Sequence, residues 1–233
     1  MDDASLPTFD RDRAAQYDDQ IRRIAPGYDV LHEAIVRVMA DQLERRAHLL
    51  VAGAGTGAEI VRMGRHRPQW RFTAVDSSAE MLARCRENVA AAGMEDRVQY
   101  ENSTVEALEG AGRFDAATSI CVAHFIESMD DKRRYFRSIA ERLVPGAPLV
   151  VADLFGDRSD ASFAPLLAAW RAHYGSSGVA SEEVERAFDY IDRAISFIGE
   201  AALQELLADV GCGPLVRFYQ CYLWGAWLTR KAA

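Results

Sequence analysis

The sequence predicts a doubly wound α/β fold, in which a mostly parallel seven-stranded sheet is covered by helices on both faces and a helical cap precedes a C-terminal β-hairpin. Two observations lead to this prediction. Short apolar segments alternate with segments whose apolar residues recur at helical spacing, which is typical of a parallel sheet with crossover helices. The first apolar segment, HLLVA at 48–52, also runs directly into a turn with three glycines at 53–57, as in the opening unit of such folds.

Length and composition indicate one globular domain. The chain has 233 residues, of which 49% are hydrophobic and 27% are charged, and this is enough to bury one sizeable core. The net charge of −8 provides no general basic field for phosphate backbones, so nucleic acid is a disfavoured partner.

Targeting signals and cysteine usage indicate a cytoplasmic protein. The charged N-terminal segment lacks the apolar centre of a signal peptide, and no segment reaches the roughly 18 apolar residues that a membrane span needs. The four cysteines are scattered, without the spacing of metal ligands or of a disulfide framework. We therefore expect no metal, no membrane association and a reducing compartment.

An amphipathic helix is predicted ahead of the first strand, from Tyr28 to about Arg45. We assign residues 1–46 to an N-terminal helical lid region and residues 47–233 to the main domain. The buried face of this helix is expected to carry Val30, Leu31, Ala34, Ile35, Val38, Met39 and Leu43.

Strands and helices alternate after the glycine turn. The helix after the turn extends to Arg65, the second strand is 71–76, and the next helix begins with a capping box of Ser77 and Glu80. The buried stripe of that helix is Met81, Leu82, Cys85 and Val89. The remaining elements of this part are strands at 97–101, 113–120 and 149–154 and a helix at 130–143.

The alternation stops after the fifth strand. Residues 155 to about 198 carry two consecutive helical patterns, the second continuing through Ile198, and we expect them to form the helical cap. Another helix follows and stops at Gly211. Two strands, joined by a tight connection near Trp224 and Gly225, complete the chain.

The glycine turn and an acidic residue after it predict a nucleotide site. Glycines let a ligand approach the backbone closely, and Asp76, at the end of the second strand, can accept hydrogen bonds from ribose hydroxyls. Gly53, Gly55 and Ala58 also satisfy the looser dinucleotide pattern G-x-G-x-x-A. The residues alone therefore leave two cofactors open, a dinucleotide such as NAD and S-adenosylmethionine.

A resemblance decides between these cofactors. Five segments resemble, in order, the motifs of the class I S-adenosylmethionine-dependent methyltransferases, and VRFYQCYLWGAWLTRK resembles the closing hairpin of that family. The resemblance implies the Rossmann-like methyltransferase fold, S-adenosylmethionine as cofactor and methyl transfer to a small organic acceptor. The five segments, which cover about 50–154, are LLVAGAGTG, FTAVDSSAEMLARCREN, VQYENSTVEAL, FDAATSI and ERLVPGAPLVVADL.

Within that family, the segments DQIRRIAPGYDVLHE and FYQCYLWGAWL resemble the carboxy-S-adenosylmethionine synthases, which make a carboxylated form of the cofactor. That likeness suggests a homodimer. The cofactor-binding residues that the resemblance implies are Tyr28, Gly53, Ala54, Gly55, Gly57, Asp76, Ser77, Met81, Thr104, Val105 and Ile120.

Three departures from the family pattern matter, and the last of them favours ordinary S-adenosylmethionine. Val51 stands where the family usually has an acidic residue, so we expect another partner for the methionine end, with Tyr28 the first candidate. Thr104 replaces an acidic residue near the adenine. The synthases hold the extra carboxylate with an arginine in the helix before the hairpin, and the corresponding segment 201–211 has no arginine.

His124 is the candidate catalytic residue, because it lies just beyond the fourth strand, where the methyl group is expected. A base is needed only if the acceptor must lose a proton, and a structural role for His124 is the alternative. Asp153 either shapes the acceptor pocket or caps the next segment. Tyr17 and Arg22 are lid candidates, and the residues that either line an acceptor site in the cap or belong to its core are Trp170, His173 and Tyr174.

Three alternatives to methyl transfer stay open at this point. The chain could be a carboxy-S-adenosylmethionine synthase that uses prephenate. It could also be a NAD-binding oxidoreductase, or a non-catalytic regulatory protein that binds the cofactor.

Overall fold

The computed structural model describes residues 11–110 and 113–233, with side chains described from Gln16 onward. The first ten residues of the predicted lid region therefore lie outside the described part. The helices are α1 Arg11–Ile24, α2 Tyr28–Gln42, α3 Ala58–His66, α4 Ala79–Ala91, α5 Met129–Glu141, α6 Phe163–Gly175, α7 Ser181–Ala194 and α8 Glu200–Asp209. The strands are β1 His48–Ala52, β2 Arg71–Val75, β3 Val98–Glu101, β4 Ala116–Ile120, β5 Pro148–Leu154, β6 Val216–Cys221 and β7 Trp224–Arg230.

The seven strands form one sheet in the order β3-β2-β1-β4-β5-β7-β6. The first five strands are parallel to one another, and β7 pairs antiparallel with both β5 and β6. The order reverses between β1 and β4, and ligands of open α/β sheets bind beyond the carboxyl ends of the strands at such a point. The predicted fold is confirmed.

Helices cover both faces of the sheet because alternate residues of each strand point to opposite sides. Leu49 and Val51 of β1 belong to a core with the inward residues of α2, α3 and α4. Leu50 and Ala52 belong to a second core with α5 and α8. The cap helices α6 and α7 form a third cluster with the ends of α1 and β5 and with the hairpin turn.

Two predicted helix features are wrong. Val30 is 65% exposed, since α2 turns Tyr28, Leu31 and His32 inward. The residue that caps α4 is Ser78, whose hydroxyl accepts from the Met81 amide; the predicted Ser77 is exposed.

Two predicted boundaries in the C-terminal part are also wrong. The helix α7 ends at Ala194 instead of continuing to Ile198, because the backbone of Ser196 bonds away from the helix, to the His124 carbonyl and the Lys132 side chain. Trp224 already belongs to β7, where it pairs with Leu154, so the hairpin turns at residues 222–223.

No helix of the described residues is long and apolar enough to cross a membrane.

Candidate functional site

The glycine turn lies between β1 and α3 and is packed tightly. Gly53 and Gly55 both have positive φ angles, of 74° and 51°, which favour glycine. A Cβ atom on Gly53 would lie 2.2 Å from Val122 Cγ2, whereas one on Gly55 would meet only the Met81 methyl at 3.5 Å. The backbone at Gly55 is thus left open to a ligand, whereas a side chain on Gly53 would have to displace Val122.

Asp76 joins this turn to the end of β2. Its Oδ2 accepts from the Gly55 amide at 2.8 Å, and its Oδ1 accepts from the Ser78 amide at 2.9 Å. Burial raises the pKa of Asp76, and these two amide bonds oppose the rise. Each carboxylate oxygen keeps a free lone pair, so Asp76 can still accept bonds from ligand hydroxyls.

The loop after β3 approaches the same place. The Asn102 amide donates to the carbonyls of Asp76 and Ser77, at 3.0 and 3.1 Å. Thr104 is exposed at the start of the following turn, where its hydroxyl accepts from the Ala107 amide. The ends of β1, β2 and β3 are therefore held next to one another.

A cavity lies beside the glycine turn, between α1, α2, α3 and the end of β4. It contains ionisable and polar groups as well as backbone. The residues that line it are Tyr17, Tyr28, His32, Gly53, Ala54, Gly55, Thr56, Ala58, Glu59, Ile120 and Cys121.

Glu59 is a site residue that sequence reasoning missed. It stands in the first turn of α3 and is only 4% exposed. Burial raises the pKa of Glu59 to about 8. The signal in the sequence was its position, since Glu59 adjoins Ile60 and is four residues before Met63 on the inward face of α3.

His32 is a second missed residue. It is 1% exposed, and its Nε2 has no hydrogen-bond partner in the described part of the chain. Burial lowers the pKa of His32 to about 3, with Arg62 and Arg22 adding to the effect. The imidazole is therefore neutral, and its ring contacts Tyr28 edge to face.

Cys121 lines the cavity and is near a second polar cluster, at the end of β5. It is a non-glycine residue with a φ angle of 58°, a strained conformation of the kind that collects at functional sites. Burial raises the pKa of the Cys121 thiol, and the charges of Asp153 and Glu59 raise it further. The carboxylates of both clusters therefore act on the Cys121 thiol.

The second cluster is a buried pair of His124 and Asp153. Nδ1 of His124 is hydrogen-bonded to Asp153 Oδ1, and the His124 amide donates to Oδ2 at 3.1 Å. Asp153 lies in the apolar strand β5, and His124 lies in a short turn after β4. The pairing fixes the imidazole in one orientation, which a histidine that transfers protons needs.

Lys132 lies near this cluster and bonds to backbone carbonyls around it. It is fully buried, and its ammonium donates to the carbonyls of Ala123, Ile126 and Ser196. Burial lowers the pKa of Lys132 to about 8, and the nearby Asp153 opposes the change. All three donor hydrogens are used by backbone, so we assign Lys132 a structural role.

Helix α1 covers the cavity from outside. The Thr56 hydroxyl of the glycine turn donates to Asp18 at 2.6 Å, and Tyr17 of the same helix lines the cavity. The end of α1 is held by the cap, where Trp170 Nε1 donates to the Ile24 carbonyl at 2.6 Å. Trp170 is fully buried and belongs to the cap's core; its rings do not face an open acceptor site.

The other lid and cap candidates lie on the outside or in the core. The Arg22 guanidinium donates to the Asp18 carbonyl and pairs with Asp29 at 3.5 Å. Tyr174 is buried against the cap, and His173 is exposed. Neither lines the cavity at the glycine turn.

The predicted cofactor residues lie at one edge of the sheet. Those that line the cavity are Tyr28, Gly53, Ala54, Gly55 and Ile120. Met81 packs beside Gly55, Gly57 begins α3, and Val105 is buried in the core behind. Ser77 and Thr104 are exposed at the rim. No cluster of three metal-ligating side chains occurs in residues 16–110 and 113–233.

These groups fit a nucleoside that carries an amino-acid end. An open glycine backbone and a pinned carboxylate suit a ribose, and a buried carboxylate and an unpartnered imidazole suit charged groups on the rest of the ligand.

Comparison with known proteins finds a family model that matches part of the chain, and solved structures with the same fold. Residues 50–149 match the family described as a methyltransferase domain. The carboxy-S-adenosyl-L-methionine synthase of Stutzerimonas stutzeri is 25% identical over 220 residues, which cover 91% of this chain and 88% of that protein.

Two solved structures show the same fold. The S-adenosylmethionine-dependent methyltransferase SibL in its apo form has a TM-score of 0.65 and 18% identity, with 88% of this chain and 55% of that chain covered. The 1,6-didemethyltoxoflavin-N1-methyltransferase of Burkholderia thailandensis, solved with bound 1,6-didemethyltoxoflavin and S-adenosylhomocysteine, has a TM-score of 0.60 and 18% identity. The alignment covers 95% of this chain and 86% of that chain.

Proposed function

We propose that this chain, which belongs to the class I S-adenosylmethionine-dependent methyltransferases, transfers a methyl group from S-adenosylmethionine to a small organic acceptor. The observation that carries the proposal is the bond between Asp76 and the Gly55 amide. It sets a carboxylate for the ribose beside an open backbone for the rest of the cofactor, in a domain that matches methyltransferases. The family match also decides against NAD, which the glycine pattern alone had left open.

The proposed cofactor site uses the residues at the carboxyl ends of the strands. Asp76 and Ser77 would meet the ribose, and Thr104 and Val105 would flank the adenine. Tyr28 and Ile120 would enclose the cofactor from the cavity wall. The backbone of the turn, with Gly53, Ala54, Gly55 and Gly57, would follow the amino-acid end, and Met81 would pack below.

We propose that His124 acts as general base when the acceptor must lose a proton. With Nδ1 bonded to Asp153, a neutral imidazole keeps the hydrogen on Nδ1 and has its lone pair on Nε2. Nε2 can then take the proton from an acceptor hydroxyl, amine or thiol as the methyl group is transferred. Asp153 positions His124, and alignment of the two reactants supplies most of the remaining rate.

Helix α1 is proposed as a lid over this site. Tyr17 lines the cavity beside the glycine turn, and the bond from Thr56 to Asp18 holds α1 against that turn. We propose that α1 moves aside when a ligand as large as S-adenosylmethionine enters. A closed lid would then exclude water from the transferred methyl group.

The second candidate function is synthesis of carboxy-S-adenosylmethionine from prephenate. It is favoured by the relative from S. stutzeri, which aligns over most of both chains. Against it, α8 contains no arginine that could hold the extra carboxylate. Mass spectrometry of the nucleoside that copurifies with the protein separates the two functions by the mass of one carboxylate.

The proposal includes a cytoplasmic setting and a homodimer. Support for the setting is that all four cysteines are free, and support for the dimer is the resemblance to the synthases alone. The acidic net charge supports a small acceptor over a nucleic acid. Light scattering after size exclusion decides the oligomeric state.

Turnover tests the proposed function. We expect S-adenosylhomocysteine to form when the protein and S-adenosylmethionine are mixed with the right member of a panel of phenols, amines, thiols and carboxylic acids. Formation without any acceptor would be only background hydrolysis. Binding of the cofactor without turnover on any acceptor would favour a regulatory protein.

A further inference from the structure

We propose that Glu59 binds the α-ammonium group of the cofactor's methionine moiety and so replaces the acidic residue that the family carries at the position of Val51. This inference rests on the proposed function, because it assigns a residue to the same cofactor.

The first support is the position of Glu59. It follows Gly57 and Ala58 at the start of α3 and lines the same cavity as Gly53 and Gly55. Val51 is fully buried in β1, within the core on the α2 side of the sheet. It offers no polar group, so the charged end of the methionine moiety needs a partner from another element.

The second support is that Glu59 has no counter-ion among the residues that the structure describes. No arginine, lysine or histidine nitrogen of the described residues lies within 4 Å of its carboxylate. Arg62, whose charge lowers the pKa of Glu59, pairs with Asp29 instead. A buried carboxylate without a cation costs free energy, and a ligand cation would remove that cost.

The third support comes from His32 in the same cavity. Its Nε2 is buried and has no hydrogen-bond partner in the described part of the chain. Buried polar atoms are rarely left unsatisfied, so this nitrogen indicates a polar ligand group. A neutral imidazole that donates from Nε2 suits the carboxylate of the methionine moiety, beside the ammonium on Glu59.

The surroundings of Glu59 make the site acidic before a ligand binds. Charge from Asp76 and Asp18 adds to burial in raising the pKa of Glu59, while Arg62 opposes them. An ammonium group would meet net negative charge here. The titratable and charged groups that face Glu59 are Tyr17 and Asp18 of α1, Tyr28 and His32 of α2, Arg62 of α3, Cys85 of α4, Asp76 and Cys121.

Binding should therefore release a proton from Glu59. With a pKa of about 8, this carboxyl is mostly protonated at neutral pH when the cavity holds no cation. A bound ammonium stabilises the ionised form and lowers its pKa, so the proton leaves on binding.

Calorimetric titration of two ligands tests the assignment. S-adenosylhomocysteine carries the ammonium, and 5′-methylthioadenosine lacks the whole amino-acid end. We expect Glu59→Gln to weaken the binding of S-adenosylhomocysteine at least about tenfold, because a charged hydrogen bond is lost. The same substitution should change the binding of methylthioadenosine less than about twofold. Glu182→Gln, at an exposed first-turn glutamate of α7, is the matched control and should change neither.

Proton release gives an independent readout on the unaltered protein. Titrations of S-adenosylhomocysteine at about pH 7 in buffers of different ionisation enthalpy should show release of close to one proton, and methylthioadenosine should show much less. This measurement needs no variant, so it decides the matter even if Glu59→Gln fails to fold.

Two results would overturn the inference. One is that Glu59→Gln weakens the binding of both ligands equally, which would mean general damage to the site. The other is equal proton release with both ligands. A wild-type protein that binds neither ligand contradicts the proposed function itself, and so the two failures are distinguishable.

Discussion

Gly53 meets two constraints at once, a backbone angle and a close neighbour. Its φ is positive, and a Cβ atom there would overlap Val122. Such local requirements are visible in a sequence because only glycine satisfies them. Asp76 could be predicted for a related reason, since it stands where a strand ends. Glu59 and His32 are harder to predict. The spacing of Glu59 from Ile60 and Met63 places it on the inward face of α3, but it does not reveal that this face borders a cavity.

Replacing Gly53 by alanine should damage the site more than the backbone angle alone explains. We expect Gly53→Ala to destabilise the protein by about 2–4 kcal/mol and to weaken the binding of S-adenosylhomocysteine at least about tenfold. Gly93→Ala is the matched control, since Gly93 has a φ of 67° but nothing within 4 Å of its added Cβ. Urea unfolding and calorimetry measure both effects. Equal losses in the two variants would show that strain alone matters at Gly53.

Neutralising Glu59 should stabilise the protein when no ligand is bound. The folded-state pKa of Glu59 is about 8, well above the ordinary value of 4.5. Between these values the folded protein binds more protons than the unfolded chain, so its stability falls as pH rises. Glu59→Gln removes this loss, and we expect a gain of about 1–3 kcal/mol near pH 8.

The stability gained by Glu59→Gln should shrink as pH falls toward about 5. At that pH the Glu59 carboxyl is protonated in the folded protein, and its burial costs little free energy. Urea unfolding at the two pH values measures it, with Glu182→Gln as the control that should show no trend. A gain that is the same at both pH values would contradict the raised pKa.

Removing the imidazole of His124 should slow the reaction without weakening the binding of the cofactor. If the acceptor loses a proton, we expect His124→Asn to lower kcat by about 10²–10³ and to leave S-adenosylhomocysteine affinity within about twofold. His66→Asn, at the far end of α3, is the control. Steady-state kinetics with an acceptor from the panel measures the effect. An unchanged kcat would assign His124 a structural role.

At the scale of elements, the helices that position the site are tied together by single polar bonds. Asp18 holds α1 to the glycine turn, Trp170 holds the end of α1 to the cap, and Lys132 holds the segment after α7 to α5. These tertiary bonds explain why the sequence predicted the end of α7 wrongly. Its apolar spacing continues to Ile198, but Ser196 bonds to the turn at His124.

Loosening α1 should expose it to protease. Asp18→Ala removes the acceptor for the Thr56 hydroxyl, a bond worth about 1 kcal/mol, so we expect cleavage by trypsin after the exposed Arg22 and Arg23 to accelerate about threefold to tenfold. Asp19→Ala changes the neighbouring exposed carboxylate and should have little effect. Mass spectrometry of the fragments over time gives the rates. Equal acceleration in both variants would mean that the bond to Thr56 does not hold the lid.

At the scale of the whole molecule, the alternation of strands and helices was enough to predict the sheet and its two helical layers. The order β3-β2-β1-β4-β5-β7-β6 brings the turns after β1, β2 and β4 to one edge, and this is why residues far apart in the chain form one site. An N-terminal lid was expected from the sequence and stays a prediction. The bond between Asp18 and Thr56 could not be predicted, because it depends on how the helices meet over the cavity.

The central claim is that the glycine turn and Asp76 hold S-adenosylmethionine. Calorimetric titration of the wild-type protein with S-adenosylhomocysteine, and separately with NAD, tests it most directly. We expect one S-adenosylhomocysteine per chain with a Kd in the range of about 1–100 μM and no heat of binding with NAD. Binding of NAD, or no binding of S-adenosylhomocysteine at millimolar concentration, would contradict the account.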